Sequence, residues 1–254
     1  MTVSVIMPAY NAEKTIKASL ESVFEQTFND FELIIVDDCS TDRTRTICEA
    51  FAALDSRIRV LSNDENKGVA ASRNRGVNEA CGQWAAFLDS DDLWHPSKLE
   101  RQLAFIAETG AKISYTASKF IDSDGHEYDY ILRAERDLTY DMLLRRNLMS
   151  SSSVVVGREI MQRYQFPEGQ LHEDYVVWLR IVQDTGTAYG LDEPLLVYRL
   201  SKTSRSGRRL RSGSMLYTSH RTVGYGALQA CLMTFRYAKY SLSKRRKMSN
   251  KISL

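Results

Sequence analysis

Apolar runs alternate with amphipathic segments through the first 110 residues of the chain. Four runs have the length and the β-branched content of buried strands: Val3–Met7, Phe31–Val36, Ile58–Leu61 and Gln83–Leu88. Apart from one charge each in the second and third, they are uncharged, as burial on both faces requires. Between them, apolar residues recur at helical spacing. Strands that alternate with helices predict a parallel sheet joined by right-handed crossovers.

The pattern is less regular after residue 110. The expected elements are a strand at 111–121, a turn at 122–125, a strand at Tyr128–Leu132, a helix near 139–146, a β-branched run at Ser153–Val156, a helix at about 173–183 and two short strands around Pro194. We therefore expect one α/β domain, with a regular half (1–110), a mixed half (111–200) and a C-terminal extension (201–254).

Composition narrows the class of protein. The 254 residues are 43% hydrophobic, enough for one large core, and the sequence lacks the run of about 18 uncharged apolar residues that would span a bilayer. The first residues read as a strand and not as a signal peptide. The four cysteines form neither a CxxC pair nor a zinc spacing, which favours reduced thiols in a cytoplasmic protein.

Charge is strongly segregated along the chain. The net charge is +2, yet all 32 acidic residues lie before residue 194, where 20 Lys and Arg accompany them. The other 14 basic residues lie in 195–254, which contains no acid. Such asymmetry predicts that the C-terminal segment meets an anionic partner.

An acidic cluster follows the fourth apolar run. Asp89, Asp91 and Asp92 fill three of four consecutive positions directly after Leu88. Clustered carboxylate oxygens are the ligands that Mg²⁺ or Mn²⁺ prefers, often together with phosphate oxygens of a substrate. The carboxyl end of a strand is also where open α/β sheets bind ligands. The sequence thus indicates a cation and phosphate site, although a solvated acidic turn shows the same pattern.

Two common nucleotide-binding signatures are missing from the sequence. The turn after the first strand reads Pro8-Ala9-Tyr10-Asn11, where a dinucleotide-binding domain has G-x-G-x-x-G, and no Walker loop occurs. Rossmann dehydrogenases and P-loop enzymes are therefore disfavoured. A nucleotidyltransferase remains an alternative, but it would need a glycine-rich basic loop at this turn.

Five segments, in order, resemble glycosyltransferase family 2, the inverting nucleotide-sugar enzymes with a GT-A fold. The matching segments are Val5–Asn11, Val36–Asp42, Asn66–Asn74, Phe87–Asp92 and His172–Asp174. The resemblance covers residues 1–200. It implies a Rossmann-like, mostly parallel central sheet flanked by helices, to which the chain adds a basic helical C-terminal tail.

The resemblance also assigns roles in the donor half, 1–110. The residues implied to bind the nucleotide-sugar are Pro8, Ala9, Tyr10, Asp38, Asn66, Gly68, Arg73 and Asp89. Asp38 would accept a hydrogen bond from the base, usually uracil, and Asp91, with Asp89, would ligate Mn²⁺ or Mg²⁺. Arg73 could instead lie on the surface. Asp92 is expected to be an acid at the N-terminus of the following helix rather than a ligand.

In the acceptor half, 111–200, the resemblance identifies Asp174 as the general base, with Glu173 as the second candidate. Asp174 could instead cap the helix that begins there. His172 could approach the diphosphate, although a lone histidine is more often structural. Trp94 and Tyr115 could shape the sugar pocket, although unassigned aromatic residues usually belong to the core. The acceptor pocket is expected in this segment after residue 110, where the pattern is least regular.

The tail admits several interpretations. Leu228, Leu232, Phe235 and Leu242 would share a helix face, with Lys239 on the same face. Aromatic and basic residues together suit the headgroups of an anionic membrane. The tail could also pack on the acidic domain, or the segment Arg205–Arg211 could clamp the donor diphosphate. Nucleic acid is not an expected partner, because no recognised binding module accompanies the charge.

These observations together predict a metal-dependent inverting glycosyltransferase. The expected donor is a UDP-sugar, and the expected acceptor is a glycan or polyprenyl-linked saccharide of bacterial surface polysaccharide synthesis. The enzyme is expected in the cytoplasm, peripherally attached to the inner face of the plasma membrane. A catalytically silent sugar-nucleotide-binding partner in a membrane complex is the non-enzymatic alternative.

Overall fold

The computed structural model describes residues 1–200 and 209–249, with side chains within 1–200 and 212–243. The strands of the described chain are β1 (Val3–Ala9), β2 (Phe31–Asp37), β3 (Ile58–Ser62), β4 (Trp84–Phe87), β5 (Leu93–Trp94), β6 (Ile113–Ile121), β7 (Glu127–Leu132), β8 (Asp137–Thr139), β9 (Val155–Gly157) and β10 (Thr187–Arg199). They form one sheet in the order β3-β2-β1-β4-β9-β6-β10-β5, with β7 beside β6 and β8 beside β10.

Helices cover both faces of this sheet. They are α1 (Ile16–Phe24), α2 (Thr44–Ala52), α3 (Val69–Glu79), α4 (Lys98–Thr109), α5 (Tyr140–Arg145), α6 (Arg158–Arg163), α7 (Glu173–Thr185), α8 (Arg209–Thr222) and α9 (Ala227–Ser249). A single 3₁₀ turn, Ser151–Ser153, precedes β9. None of the helices in the described residues is apolar over a length that could cross a membrane.

The first half matches the predicted parallel sheet. β3, β2, β1 and β4 are mutually parallel neighbours, and every residue of β1 and β2 is buried. Alternate residues of β1 point to opposite faces. Val5 belongs to the core cluster that includes residues of α1 and α4, whereas Ile6 belongs to the cluster that includes residues of α3 and α7. Gly76 permits the close approach of α3, since a Cβ there would lie 2.5 Å from Ile6 Cγ2.

The two charges within these strands belong to one network. The buried Glu32 carboxylate accepts hydrogen bonds from Ser4 Oγ and from the Cys81 amide, both at 2.7 Å. Arg59 Nη1 lies 3.4 Å from the same carboxylate. A buried carboxylate needs such partners to offset its lost hydration, so the strand pattern tolerates both charges.

The second half is mixed, because β9 runs antiparallel to both of its neighbours, β4 and β6. The prediction of two short strands around Pro194 is wrong. β10 is one strand of thirteen residues, parallel to β6, whose register shifts on either side of Pro194. Proline lacks the amide hydrogen that a regular strand pairing uses. Within a strand it is therefore found mainly where the pairing is irregular, as it is here.

The predicted helical tail is present as α8 and α9, and it packs on the domain. Met215, Leu216 and Ala230 are buried, and the two helices contact α5, α7 and β7. The Ser219 hydroxyl accepts a hydrogen bond from the His172 amide at 3.0 Å. The packing interpretation of the tail is therefore confirmed for these helices. Arg205 and Arg208 of the suggested diphosphate clamp, and the side chains of Arg209 and Arg211, lie outside the described residues.

Candidate active site

Candidate site residues collect at the carboxyl edge of the parallel strands. Ala9, Asp37 and Ser62 are register partners at the ends of β1, β2 and β3. Asp89 follows β4, which pairs with β1 on its other side. Because carboxyl ends of parallel strands share one edge, Tyr10, Asp38 and Asp89 lie along the same rim of the sheet.

Asp38 is a buried acid that shapes the loop before α3. Its Oδ1 accepts hydrogen bonds from Asn63 Nδ2 at 2.7 Å and from the Lys67 amide at 2.9 Å. Its Oδ2 accepts one from the Gly68 amide at 2.7 Å. Asp38 therefore does not cap α2, where Asp42 accepts from the Thr44 amide instead. Its contact with a nucleotide base remains a prediction.

The loop that Asp38 holds leads into the N-terminus of α3. Gly68 has φ +88°, in the left-handed region that glycine adopts most readily, and α3 begins at the next residue. Backbone amides at a helix N-terminus attract anions. Asn66 is exposed beside this turn, and Tyr10 is 49% exposed across the rim. Pro8 and Ala9, which precede Tyr10, are buried.

Arg73 connects the two halves of the site. Its guanidinium donates to Asp89 Oδ1 at 2.6 Å and to Glu173 Oε1 at 3.1 Å, and it lies 5.3 Å from the Phe166 ring centroid. The side chain is 4% exposed, so the surface alternative for Arg73 is excluded. A residue of α3 thus joins the acidic cluster after β4 to the start of α7.

We expect Arg73→Met to lower the free energy of unfolding by about 3 kcal/mol, because its removal leaves the buried Glu173 carboxylate, and the partly buried Asp89 carboxylate, without their counter-charge. Urea denaturation measures this change. Arg43→Met is the matched control, since Arg43 is 82% exposed in its pair with Glu13 and should contribute below about 1 kcal/mol. Equal losses for the two variants would contradict a buried bridge at Arg73.

Asp92 is a structural residue of the cluster. It is 1% exposed; Oδ2 accepts from Ser152 Oγ at 2.6 Å and Oδ1 accepts from the Arg199 amide at 2.9 Å. Burial, and next the negative charges of Asp91 and Asp89, raises the pKa of Asp92 well above its ordinary value. The prediction of a helix N-terminal acid is wrong, because α4 begins only at Lys98 and Asp92 is bound to β10 and the 3₁₀ turn.

Asp91 differs from its neighbours in having an available carboxylate. Asp89 is engaged by Arg73 and Asp92 by Ser152, but no other residue in the described part of the chain donates a hydrogen bond to the Asp91 side chain. Burial, and next the charge of Asp89, raises the pKa of Asp91 to about 6. Both effects disfavour the negatively charged carboxylate, whereas a bound cation would favour it and lower the pKa of Asp91.

The residues present fit a metal ion that is only partly coordinated by protein. Asp91 and the second Asp89 oxygen could serve as ligands, leaving the remaining positions to phosphate oxygens and water, as is usual for Mg²⁺. A second possible cation site lies elsewhere in the described residues, where the potential ligand atoms of Asp122, Asp124 and His126 lie close together. These form the β6–β7 turn, where the Asp122 carboxylate accepts from the amides of the other two.

Asp174 lies at the N-terminus of α7, beside Glu173. It is half-buried, and Oδ1 accepts from the Tyr175 amide at 2.7 Å. Burial, and next the charge of Glu173, raises the pKa of Asp174, the direction that suits a proton acceptor. Glu173 is buried in its ion pair with Arg73, which makes it the less available base.

For three further residues of this region, the structure supports the core or structural interpretation over a role in the site. Trp94 and Tyr115 belong to the core and not to a sugar pocket; Trp94 Nε1 donates to the Ser152 carbonyl and the Tyr115 hydroxyl to the Glu135 carbonyl. His172 Nε2 lies 3.3 Å from the Ser212 carbonyl of α8, a structural contact between helices.

The sequence analysis missed three residues around the acidic cluster. Ser152 donates to Asp92 and accepts from the Asp89 amide at 3.0 Å, and Arg199 Nε donates to the Asp91 carbonyl at 3.0 Å. Tyr198 is near enough that burial and the charges of four acids raise its pKa well above the ordinary value. The sequence features that could have identified these residues are the run of four serines at 150–153 and the pair Tyr198-Arg199 at the end of a predicted strand.

Known sequences place these features in one family. A family model described as glycosyl transferase family 2 matches residues 4–166. TuaG of Bacillus subtilis, named as a teichuronic acid biosynthesis glycosyltransferase, is 36% identical over 96% of this chain and 97% of its own length. WfgD of Escherichia coli, named UDP-Glc:alpha-D-GlcNAc-diphosphoundecaprenol beta-1,3-glucosyltransferase, is 37% identical over 82% of this chain and 81% of its own.

Solved structures share the fold at lower identity. TarS 1–349 of S. aureus, in complex with UDP-GlcNAc, superposes with a TM-score of 0.74 at 22% identity, over 100% of this chain and 77% of that one. The mannosyltransferase PcManGT of Pyrobaculum calidifontis, with GDP-Man and Mn²⁺, gives 0.70 at 19%, over 97% and 72%. The α/β architecture is thus GT-A-like. On the strength of the matched model and the relatives above 30% identity, the chain belongs to glycosyltransferase family 2.

Proposed function

We propose that this enzyme transfers a sugar from a UDP-sugar to a hydroxyl of a lipid-linked saccharide, with inversion, in bacterial surface polysaccharide synthesis. The observation that carries the proposal is the Arg73 bridge. Arg73 binds both Asp89 and Glu173 and so holds them in one site. The available Asp91 lies two residues after Asp89, and the half-buried Asp174 directly follows Glu173. A donor-phosphate side and a proton-accepting side therefore lie together, as a displacement at the sugar carbon needs.

On the donor side, Tyr10 would cover the base, above Pro8 and Ala9. Asp38 already accepts three hydrogen bonds, and a carboxylate has about four acceptor positions, so one remains for the N3–H of uracil. The N-terminus of α3, which Gly68 opens, and the side chain of Asn66 would face the diphosphate, while the Gly68 amide itself stays bound to Asp38. Arg73 would act on the sugar through Asp89, whose orientation it fixes.

Asp91 and Asp89 are the residues that would hold the metal on the diphosphate side of the site. Mn²⁺ or Mg²⁺ held by Asp91, with Asp89, would act as a Lewis acid for the departing nucleoside diphosphate. PcManGT, whose structure contains Mn²⁺ with GDP-Man, shares this fold and supports the choice of ion. The chain's own contribution is to hold Asp91 beside the strand end while Ser152 and Arg199 fix the surrounding loop.

On the acceptor side, Asp174 would take the proton of the attacking hydroxyl. The hydroxyl approaches the sugar carbon from the face opposite the leaving group, so the product has the opposite anomeric configuration. Residues 111–200 would form most of the acceptor half and 1–110 the donor half. A cavity of about 270 Å³, lined by residues that include Tyr130, Arg146 and Tyr240, opens between β7 and α9 and could receive acceptor sugars.

The names of relatives support the substrate classes. WfgD and WfaP of Escherichia coli are both named for UDP-Glc as donor and for alpha-D-GlcNAc-diphosphoundecaprenol as acceptor. Since such an acceptor is anchored in a bilayer, we place the enzyme at the inner face of the plasma membrane, in peripheral contact with it.

The test is transfer with a donor panel. UDP-glucose, UDP-galactose, their N-acetyl forms and GDP-mannose are each incubated with a GlcNAc-diphosphate lipid and Mn²⁺, and the product mass is measured. We expect a gain of one hexose or N-acetylhexosamine from one of the UDP-sugars and none from GDP-mannose. Transfer from GDP-mannose alone would overturn the donor assignment, and nucleotide binding without any transfer would favour the catalytically silent alternative.

A further inference from the structure

Helix α9 exposes a row of large apolar side chains. Leu228, Leu232, Phe235 and Leu242, which we call the outer stripe, are 88%, 51%, 60% and 49% exposed. At 3.6 residues per turn they lie within roughly 80° of the helix circumference. A helix at the surface of a domain normally turns polar residues outward, so a mostly apolar stripe there indicates a partner.

The opposite side of α9 is firmly packed. Ala230 is fully buried, Met233 and Tyr237 pack against the main core, and the Tyr237 ring meets the Tyr175 ring of α7 at 5.8 Å. The exposure of the outer stripe is therefore not a consequence of a detached helix. The domain presents this face in a fixed position.

Charge around the outer stripe identifies the class of partner. Lys239 lies within the stripe, with Nζ 5.3 Å from the centroid of the Phe235 ring, and Arg236 is exposed beside it. No acidic residue occurs after Glu193, and the sequence continues with Lys244–Lys247, all basic. A second copy of this chain would bring two such basic segments together, whereas an anionic surface would neutralise them.

We propose that the outer stripe is the docking surface for an anionic lipid bilayer. α9 would lie along the bilayer plane, with its leucines and Phe235 at the boundary of the acyl chains and its cations among the headgroups. This inference rests on the proposed function for the identity of the acceptor, and it specifies which face of the enzyme meets the membrane that carries that acceptor.

Docking through α9 would also set the position of the catalytic helix. α8 joins α9 to α7: the His172 amide donates to Ser219, and the Tyr175 hydroxyl lies 3.4 Å from His220 Nε2. Asp174 stands between His172 and Tyr175. The distance of this carboxylate from the bilayer is therefore fixed by rigid packing and not by a linker.

Vesicle co-sedimentation tests the proposal with the full-length protein. The vesicles are phosphatidylcholine alone, or phosphatidylcholine with a third phosphatidylglycerol. The variant is the triple L228Q/L232Q/F235Q, and Leu54→Gln is the matched control, because Leu54 is 83% exposed outside the tail. We expect the wild type and the control to bind the anionic vesicles, and the triple variant to bind about tenfold more weakly.

Equal binding of the triple variant and the wild type would overturn the docking surface, as would equal binding to both kinds of vesicle. A concentration-dependent dimer that the triple variant abolishes, without vesicle binding by the wild type, would assign the stripe to a second copy instead. Transfer to a short-chain, water-soluble acceptor separates this inference from the proposed function. The triple variant should transfer sugar to this acceptor as fast as the wild type does. If the wild type itself showed no transfer, the result would count against the proposed function and not against membrane docking.

Discussion

Asp91→Asn should reduce turnover by about 10³-fold and abolish the metal-dependent part of UDP binding. The Asp91 carboxylate is the available one in the acidic cluster, since Arg73 engages Asp89 and Ser152 engages Asp92. A Lewis acid contributes several kcal/mol to the departure of an anionic leaving group, and each 1.36 kcal/mol corresponds to a factor of ten in rate. The asparagine keeps the shape of the side chain but removes its charge.

Steady-state rates and calorimetric titration of UDP, with and without Mn²⁺, measure the two effects. Asp124→Asn is the matched control. Asp124 belongs to the second group of possible metal ligands in the described residues, which lies in the β6–β7 turn. This substitution should leave both quantities unchanged. If Asp124→Asn removed the metal dependence and Asp91→Asn did not, the cation site would have to be moved to that turn.

Asp174→Asn should lose transfer by about 10²- to 10⁴-fold while UDP binding stays near that of the wild type. The reason is that Asp174 lies at the start of α7, on the far side of the Arg73 bridge from the donor-phosphate residues. Burial raises its pKa, which makes the carboxylate a stronger proton acceptor than an exposed one. An asparagine cannot accept the proton of the attacking hydroxyl.

The control for this substitution is Asp184→Asn. Asp184 lies on the same helix, exposed, in a long surface contact with Arg163. The same chemical change there should leave turnover within about twofold of the wild type, because exposed ion pairs contribute little. Near-normal turnover of Asp174→Asn, with a large loss for Glu173→Gln, would move the general base to Glu173.

The sequence predicted the first half of the sheet well for a definite reason. Strands buried on both faces must be nearly free of charge, so β1, β2 and β4 stand out as apolar runs of strand length. The acidic cluster at the end of β4 was recognisable for the same reason, because three carboxylates there interrupt the pattern abruptly. The parallel neighbours and the clustering of strand ends then followed from the alternation with helices.

Other features depend on contacts between distant parts of the chain. The bridge from Arg73 to Glu173 joins residues 100 positions apart, and no local pattern shows that Arg73 is buried. Asp92 was misassigned because its partners, Ser152 and Arg199, come from the irregular second half. Pro194 predicts a strand break from sequence, because the register shift that accommodates it is a property of the pairing with β6.

The tail shows both a success and an ambiguity of sequence analysis. The shared face of Leu228, Leu232 and Phe235 was predicted from helical spacing, and the structure confirms that these residues are exposed together. From sequence, packing on the domain and an outward apolar face are alternatives. They occur on opposite sides of the same helix, which periodicity could not reveal because both sides carry apolar residues.

The anomeric configuration of the product tests the central claim most directly. UDP-sugars of the glucose series are α-linked, so displacement with Asp174 as base predicts a β-linkage in the new glycoside. Proton NMR of the transferred sugar, from the coupling between H1 and H2, distinguishes the two anomers for a gluco-configured donor. A β product would support direct inverting displacement at this site, and an α product would contradict it.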